Sequence, residues 1–390
     1  MKKRKIVVAG SLLSAILECL LLSVSTFADD EGSLLKRLKN NPTQLASTVP
    51  SNGDVNPYGI ARVKRSVGNL KRGHILVSNF NAMSNQQGTG TTIMDISPNG
   101  AVTQFAQINA NALPGPCPGG VGLTTALAVL RTGWVIVGSL PTMNGTSAPP
   151  QAGCLIVLDS MGNPVETFYG SLINGPWDMA ARDTDTKAVL FVTNVLNGTV
   201  AANGNVVNQG TVVRFNLSVS TSQMPTIESM TVIGSGFSER TDVNALVIGP
   251  TGLDLSPVCE SNDEDDCAVR GEEDERVLYV ADSLNNRITI IPDPLTRTTS
   301  AGTGKVLTSG GSLNDPLGLV VAPNGHILTV NGDDGFIIEI TPRGKQLAKK
   351  LLDNTGGPPL GTGTLFGVTF DPELGIVFVD DGSNTLNVLQ

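Results

Sequence analysis

The stretch that decides the fold is NDPLGLVVAPNGHILTVNGDDGFIIEITPRGKQLAKKLL, residues 314–351. It holds three short apolar runs and a fourth, more polar segment, separated by turns at residues 323–325, 331–335 and 342–344. Runs of four to seven residues that are rich in Val, Ile and Thr and bounded by Gly, Pro, Asn and Asp indicate strands. Four such strands joined by tight turns predict an antiparallel meander. Apolar residues at adjacent positions of the inner runs are typical of a sheet covered on both faces.

Five other parts of the chain repeat this pattern, and each begins with a similar first run. These first runs start at Asn56, Thr125, Gly175, Pro250 and Phe366. A four-stranded sheet that must be covered on both faces packs against a copy of itself, so regular repetition predicts a radial arrangement. The sequence therefore predicts an all-β fold, a six-bladed β-propeller of four-stranded antiparallel blades, over residues 56–390.

The sixth copy reaches the end of the sequence at Gln390 after only three strands. An open last blade would leave an unpaired strand edge. We therefore expect residues 29–55 to close the last blade, with the missing outer strand near Gln44 to Val49.

Residues 1–28 have the pattern of an export signal. A basic run at residues 2–5 precedes a mostly apolar run at residues 6–24, and small residues lead to Ala28. We expect cleavage after Ala28, although the length of the run leaves an uncleaved anchor open and Glu18 disfavours a permanent span. No membrane span is expected after removal of the signal. The protein is then expected to be exported, periplasmic or extracellular, and monomeric.

The charge of the chain argues against a nucleic-acid partner. Residues 1–28 contain four basic residues and one acidic residue, so removing them leaves 22 basic and 34 acidic residues and a net charge of −12. Neutralisation of phosphates supplies most of the affinity for nucleic acids, and an acidic chain without a basic patch lacks it.

Four cysteines follow the signal, namely Cys117, Cys154, Cys259 and Cys267. An even number of cysteines in an exported chain favours two disulfides, and four cysteines allow three pairings. Proximity in the sequence favours Cys117 with Cys154 and Cys259 with Cys267. Free buried thiols are the alternative.

One block of the fourth copy carries a family resemblance. The segment RVLYVADSLNNRI, residues 276–288, is preceded by PTGL at residues 250–253. Together they resemble the consensus of NHL repeats, and the segment DPLGL at residues 315–319 fits the same pattern. The resemblance implies a propeller over nearly the whole chain after the signal.

In propellers of this kind, ligands usually lie at one mouth of the central channel, beside the loops that lead into the innermost strands. The resemblance therefore implies a set of ligand-binding residues at that mouth: Asn56, Tyr58, Asn174, Trp177, Asp178, Asn314 and Asp315. The competing interpretation is turn chemistry, because Asn and Asp before Pro or Gly form tight turns in most proteins. The long polar connections 81–90, 140–152 and 196–209 are expected at the same mouth, where they could recognise a partner.

An enzymatic alternative comes from a second resemblance. Propellers of the regucalcin and gluconolactonase type are similar in architecture and hold one divalent cation through a Glu, two Asn and an Asp. Asn174 resembles one of these Asn positions and Asp315 stands where the Asp lies, so these two are the candidate calcium ligands. The Glu-Gly-Pro element of that family is absent, and residues 56–59 read NPYG instead.

The chain contains two histidines, His74 and His326, and both stand at the first residue of a second strand. Equivalent positions in different blades lie apart, so a structural role is favoured over catalysis by histidine. The sequence therefore predicts a binding or scaffolding module for a protein, peptide or glycan. The alternative is a calcium-dependent lactonase or hydrolase of the gluconolactonase-like propeller type. The sequence leaves open whether the protein is an enzyme.

Overall fold

Six antiparallel sheets account for nearly all regular structure of the chain. The computed structural model describes residues 32–146, 152–257 and 276–390. The predicted export signal, Cys259 and Cys267 lie outside the described residues, so the predicted pairing of these two cysteines is not described either. The described chain forms one compact unit from Ser33 to Gln390.

Each sheet is one blade, and its strands are hydrogen-bonded mostly in the order of the chain. Blade 1 comprises β2 (Val55–Arg62), β3 (Ile75–Asn81), β4 (Thr92–Ile96) and β5 (Val102–Gln107); blade 2, β6 (Leu123–Val129), β7 (Val135–Ser139), β8 (Cys154–Leu158) and β9 (Pro164–Phe168); blade 3, β10 (Pro176–Asp183), β11 (Lys187–Asn194), β12 (Val207–Ser218), β13 (Thr226–Asp242) and β14 (Leu246–Ile248); blade 4, β15 (Pro250–Leu255), β16 (Val277–Asp282), β17 (Arg287–Pro292) and β18 (Lys305–Ser309); blade 5, β19 (Pro316–Val321), β20 (Ile327–Asn331), β21 (Phe336–Ile340) and β22 (Gln346–Leu351); and blade 6, β23 (Leu365–Asp371), β24 (Gly375–Asp380), β25 (Thr385–Leu389) and β1 (Thr43–Ser47). The predicted six-bladed propeller is confirmed.

The blades are held together by apolar layers between neighbours. Six hydrophobic clusters of the described residues each join two adjacent blades. Strand β7 illustrates why: Val135 and Val137 pack towards blade 1, whereas Ile136 packs towards blade 3. Successive side chains of a strand point to opposite faces, so a sheet between two neighbours needs apolar residues at every position. This is the pattern of adjacent apolar residues in the sequence.

The N-terminal strand β1 closes the ring. It pairs antiparallel with β25, so that Thr43 lies opposite Val388 and Ser47 opposite Thr385. The outer edge of blade 6 is thus covered by a strand from the segment near Gln44 to Val49. Full closure leaves each blade with two neighbours and removes an exposed edge at the junction.

A short helix, α1 (Leu34–Arg37), precedes β1 and is anchored on a buried carboxylate. The carboxylate of Glu339 on β21 accepts hydrogen bonds from Ser33 Oγ, Leu34 N at 2.8 Å and Leu35 N at 2.9 Å. A second helix, α2 (Thr199–Ala202), follows β11. No helix in the described ranges is long and apolar enough to cross a membrane.

A disulfide joins Cys117, in the connection before β6, to Cys154 at the start of β8, with the two Cα atoms 5.2 Å apart. The pairing predicted for these two cysteines is confirmed. It ties the connection between blades 1 and 2 to an inner strand of blade 2.

Alternating strand directions give the propeller two different faces. Connections from second to third strands and from fourth strands to the next blade lie on one face, which we name the loop face. Connections from first to second and from third to fourth strands lie on the other, the turn face. The innermost strands β2, β6, β10, β15, β19 and β23 therefore begin at the loop face and end at the turn face.

Candidate functional site

The residues that end the second strands are structural. Asn194 Oδ1 accepts a hydrogen bond from Asn174 N at 2.9 Å, and Asn331 Oδ1 accepts one from Asn314 N at 3.2 Å. In blade 6, Asp380 Oδ1 accepts the Ser383 N–H at 3.0 Å and so fixes the turn into the third strand. These side chains fasten the loop-face connections to the blades.

The loop-face mouth of the channel is filled by an apolar plug. Its buried members are Tyr58, Phe80, Leu140, Trp177, Val195, Leu196, Leu246 and Val247. The ring of Tyr58 stacks on Phe366 with centroids 3.7 Å apart and on Phe80 at 4.5 Å. Trp177 packs edge-on against Phe80 at 5.6 Å. These aromatic and aliphatic side chains are all buried against one another, so the plug closes this end of the channel.

A hairpin covers the plug. The outer strand β13 continues beyond its blade and turns back at residues 243–245 into β14, so that Arg240 pairs with Ile248 and Asp242 with Leu246. The backbone of Leu246 has a φ of 64°, and its side chain enters the plug. Gln87 Nε2 from blade 1 donates a hydrogen bond to Asn244 O at the hairpin tip. The tip is therefore held against the blade 1 connection.

Tyr58 and Trp177 were expected to bind a ligand, but they are 2% and 4% exposed within the plug. Asn174 Nδ2 is already engaged, because it donates hydrogen bonds to Leu196 O and Asn197 Oδ1. Asn56 has a φ of 60° and donates its backbone N–H to Asn384 Oδ1. A ligand at this mouth would therefore contact the rim, not these side chains.

Acidic side chains collect at the loop face. Its described connections and the adjoining strand ends carry Asp242, Asp315, Asp333, Asp334, Asp353 and Asp381, whereas these connections contain neither lysine nor arginine. Burial, together with the charges of Asp333 and Asp242 and against the charge of Arg240, raises the pKa of Asp315 to about 7. Burial, with the charge of Asp380, raises the pKa of Asp381 to about 8. Asp242 pairs with Arg240, whereas the other five carboxyls are in no ion pair with a described residue, and such a surface favours a cationic partner.

At the other end of the channel, the described residues enclose a cavity. This cavity of about 330 Å³ opens towards the turn face and is lined by the innermost strands of all six blades. Its wall is mixed: Met179, Leu253 and Val368 contribute apolar surface, and the carboxyl groups of Asp178 and Asp254 contribute polar surface. Ligand sites in proteins typically combine an apolar wall with a few polar groups in this way.

Asp178 stands in a slot that most other blades fill with glycine. It lies two residues after Pro176, as Gly59, Gly252 and Gly318 lie two residues after their own prolines. At Gly252 and Gly318 a Cβ atom would lie 2.3 and 2.2 Å from backbone oxygens of the next blade, so a side chain is excluded there. The departure of Asp178 from the Pro-x-Gly-Leu pattern was the signal in the sequence for a side chain in the channel.

The two cavity carboxyls have raised pKa values. Burial raises the pKa of Asp178 to about 7, and the charge of Asp254 adds to the effect. Burial also raises the pKa of Asp254, against hydrogen bonds from Val321 N and Leu255 N and the charge of Lys64. Both carboxyls keep partial exposure to the cavity, although protein surrounds them. Asp254 was not identified from the sequence, because its position in other blades holds Ala, Val or Thr.

Both histidines are in structural pairs. His326 is fully buried, and its Nδ1 lies 2.6 Å from Glu339 Oε1. His74 Nδ1 lies 2.9 Å from Asp95 Oδ1 within blade 1. Each pair joins neighbouring strands of one blade near the turn face.

The candidate calcium ligands do not form a metal centre with their neighbours. Calcium takes six to eight oxygen ligands. In the described part of the chain, no three His, Cys, Asp or Glu side chains converge in a group that could hold a metal ion. Asn174 and Asp315 lie in different blades, and the mouth that they would share is filled by the plug. The residues present therefore do not fit the cation site that the second resemblance implied.

The chain is similar to solved structures of other proteins. A regucalcin from Agrobacterium tumefaciens, described as a calcium-binding protein, is 13% identical with a TM-score of 0.50, over 87% of this chain and 85% of that chain. A gluconolactonase from Xanthomonas campestris is 14% identical with a TM-score of 0.49, over 90% and 95%. No family model and no curated protein matches the chain, so the NHL-repeat resemblance stays a prediction.

Identity of this order shows the fold alone. The chain is a six-bladed β-propeller that resembles the regucalcin propeller in architecture. The activity and the bound calcium of those proteins do not transfer with the fold.

Proposed function

We propose that this propeller is a binding module that engages a basic polypeptide bearing apolar side chains through its loop face. The observation that carries the proposal is the position of its most exposed apolar residues. Val243, Met143 and Met83 are 95%, 78% and 76% exposed, more than any other large apolar residue of the described chain. All three belong to loop-face connections.

These three tips lie on connections that are fastened to one another. Thr142 N donates to Gly88 O at 2.9 Å, which joins the connections that carry Met143 and Met83. Gln87 Nε2 donates to Asn244 O at 2.6 Å, beside Val243 at the hairpin tip. A shared apolar surface on fixed loops is a feature of protein-binding sites, and methionine adapts to varied partners.

The negative charge of the loop face favours a positively charged partner. Asp242 adjoins the tip residue Val243 and pairs with Arg240, with Nη2 2.9 Å from Oδ2, and its charge also acts on Asp315 and Asp333. Complementary charge accelerates association and disfavours acidic partners. Because the plug closes the channel at this end, the partner lies across the face. A glycan is less favoured, since Tyr58, Phe80 and Trp177 are buried and cannot stack on a sugar.

The test uses a defined probe, an amphipathic peptide of leucine and lysine, and its counterpart of leucine and glutamate. We expect fluorescence anisotropy to detect binding of the lysine peptide alone, with weaker binding at high salt because surface charges are screened. Replacing Met83, Met143 and Val243 together by serine should weaken binding about tenfold or more, as expected for loss of apolar contacts of about 1–3 kcal/mol.

A matched control carries the Met161→Ser and Met224→Ser substitutions on the turn face, where both side chains are about half exposed. It should bind the lysine peptide like the unmodified protein. Surface substitutions of this kind change stability by less than about 0.5 kcal/mol, so both variants should melt normally. Equal binding of the two peptides, or unchanged binding in the loop-face variant, would contradict the proposal.

A further inference from the structure

The cavity at the turn face is a second candidate site, and it is independent of the proposed function of the loop face. The plug separates it from the loop-face mouth, because the innermost strands begin in the plug and end around the cavity. Its volume of about 330 Å³ lies within the range of small-molecule sites.

The two carboxyls of the cavity accept few hydrogen bonds from the described residues. Asp178 accepts one hydrogen bond, from the adjacent Met179 N at 2.7 Å, and Asp254 accepts two, from Val321 N and Leu255 N. Neither carboxyl is in an ion pair with a described residue.

The basic residues at the cavity rim do not neutralise this pair. Arg62 binds Asp371 of blade 6. Lys64 is exposed and acts on Asp254 only through its charge. Two carboxylates that share an interior space repel each other and are costly to bury. A cationic ligand would offset both costs.

A carboxyl group in the cavity wall is possible at Asp178 of blade 3 but not at the equivalent positions of blades 1, 4, 5 and 6. In blades 1, 4, 5 and 6 the slot of Asp178 is glycine, and the close approach of the next blade leaves no room for a side chain. In blade 3 the slot holds a carboxyl that faces the same space as Asp254 on the next blade. Met179, Leu253 and Val368 also line the cavity, so it offers one acidic point and an apolar surface for a hydrocarbon body.

We propose that this cavity binds a small organic ammonium ion, with its charged group at Asp178 and Asp254 and its apolar body against Met179, Leu253 and Val368. An ammonium donates three hydrogen bonds and supplies the missing counter-charge. The apolar body gains free energy by leaving water. The shared chemistry is a primary ammonium on a hydrocarbon, either of a free amine or of a lysine side chain.

Isothermal titration calorimetry with hexylamine tests the site in the full chain after the export signal. Hexanol and hexanoate are matched probes without the positive charge. We expect hexylamine to bind, and the two uncharged or negative probes to bind at least tenfold more weakly. N-acetyl-lysine methylamide separates the two sources: if it matches hexylamine, a peptide lysine is the favoured occupant, and if it binds more weakly, a free amine is. Both results support the ammonium site.

The variants Asp178→Asn and Asp254→Asn should each weaken hexylamine binding at least tenfold, and they are expected to fold because neither carboxyl is in an ion pair. The control variant Asp185→Asn removes an exposed turn-face carboxyl outside the cavity and should leave hexylamine binding unchanged. Thermal melting of each variant checks the fold. The proposal is overturned if hexylamine does not bind, if hexanol binds equally well, or if the folded Asp178→Asn, Asp254→Asn double variant still binds hexylamine.

Loop-face peptide binding and turn-face amine binding can fail separately. Loss of the lysine-peptide response with hexylamine binding intact would contradict only the proposed function. The reverse result would contradict only the cavity site.

Discussion

The two ends of the central channel are built from the same six strands but differ in chemistry. At the loop face the first residues of β2, β10 and β23 contribute Tyr58, Trp177 and Phe366 to stacked and edge-on ring contacts. At the turn face the later residues of the same strands line an open cavity with two carboxyls. The position along a strand therefore decides whether a side chain seals the channel or faces its interior.

Backbone geometry explains this difference. All six innermost strands have a register shift near their starts, where they pair with the second strand of the blade. Such bulges bend a strand and re-aim its side chains. Beside the bulges, Gly318 and Gly367 let the innermost strands of adjacent blades approach closely. The aromatic side chains just before the bulge thus reach the mouth.

The largest effect should come from opening the sealed end. Trp177→Ala removes a buried aromatic side chain from the plug, and such truncations cost about 3–5 kcal/mol of unfolding free energy. Urea denaturation measures it. Tyr169→Ala, at a side chain 51% exposed on the same face, should cost less than about 0.5 kcal/mol. Similar losses for the two variants would mean that the plug contributes little to stability.

A smaller effect is expected from the buried polar network near the turn face. Burial alone would raise the pKa of Glu339, but hydrogen bonds from His326, Ser33 and two backbone N–H groups lower it to about 2. The folded pKa lies below the unfolded value, so this stabilisation is complete above about pH 4.5 and is lost as pH falls towards 2.

Glu339→Gln should therefore cost about 1–3 kcal/mol at about pH 6 and much less at about pH 3, as followed by urea denaturation. Glu373→Gln is the matched control, because Glu373 is exposed at the turn face. An equal cost of Glu339→Gln at both values of pH would rule out an ionised carboxylate as the anchor of α1.

The smallest effect, and one of opposite sign, should come from the open end. The folded pKa of Asp178 is raised to about 7, so the stability it contributes is complete below about pH 4 and is lost as pH rises through 7. Asp178→Asn should therefore change the free energy of unfolding more favourably at about pH 8 than at about pH 4. We expect the difference between the two values of pH to be about 1–2 kcal/mol. A tenfold change in proton affinity corresponds to about 1.4 kcal/mol, and water in the cavity screens the charge and so reduces the full effect.

Thermal melting across this pH range measures the change. Asp185→Asn, at an exposed turn-face carboxyl, should show no such trend. If Asp178→Asn melted like the unmodified protein at both ends of the range, the contrast between a sealed apolar end and an open acidic end would fail.

Much of the fold was predictable because it rests on a repeat. Apolar residues at adjacent positions in β7 and β20 required a covered sheet, and short turns required antiparallel neighbours. The incomplete sixth copy required an outside strand, and β1 occupies that place. By contrast, β14 lies outside the repeat, and nothing in its three residues indicated that it would cover the channel mouth.

The candidate residues were predicted only in part. Tyr58, Trp177 and Asp178 were assigned to one mouth because they are close in sequence to the starts of innermost strands. Tyr58 and Trp177 lie in the plug, whereas Asp178 lies beyond it in the cavity. Neighbouring residues of a strand point their side chains to opposite faces of the sheet, and a bulge shifts this alternation by one residue. Sequence spacing could not resolve this.

The sequence by itself determined the number of blades and the antiparallel pattern of their sheets, because these follow from local periodicity, and proximity along the chain favoured the pairing of Cys117 with Cys154. Only the tertiary structure decided which end of the channel is closed and which carboxyls meet inside it. Asp178 and Asp254 are separated by 75 intervening residues in the sequence, yet they face one space. Their meeting depends on how two neighbouring blades are placed around a common axis, a long-range property that no single segment encodes.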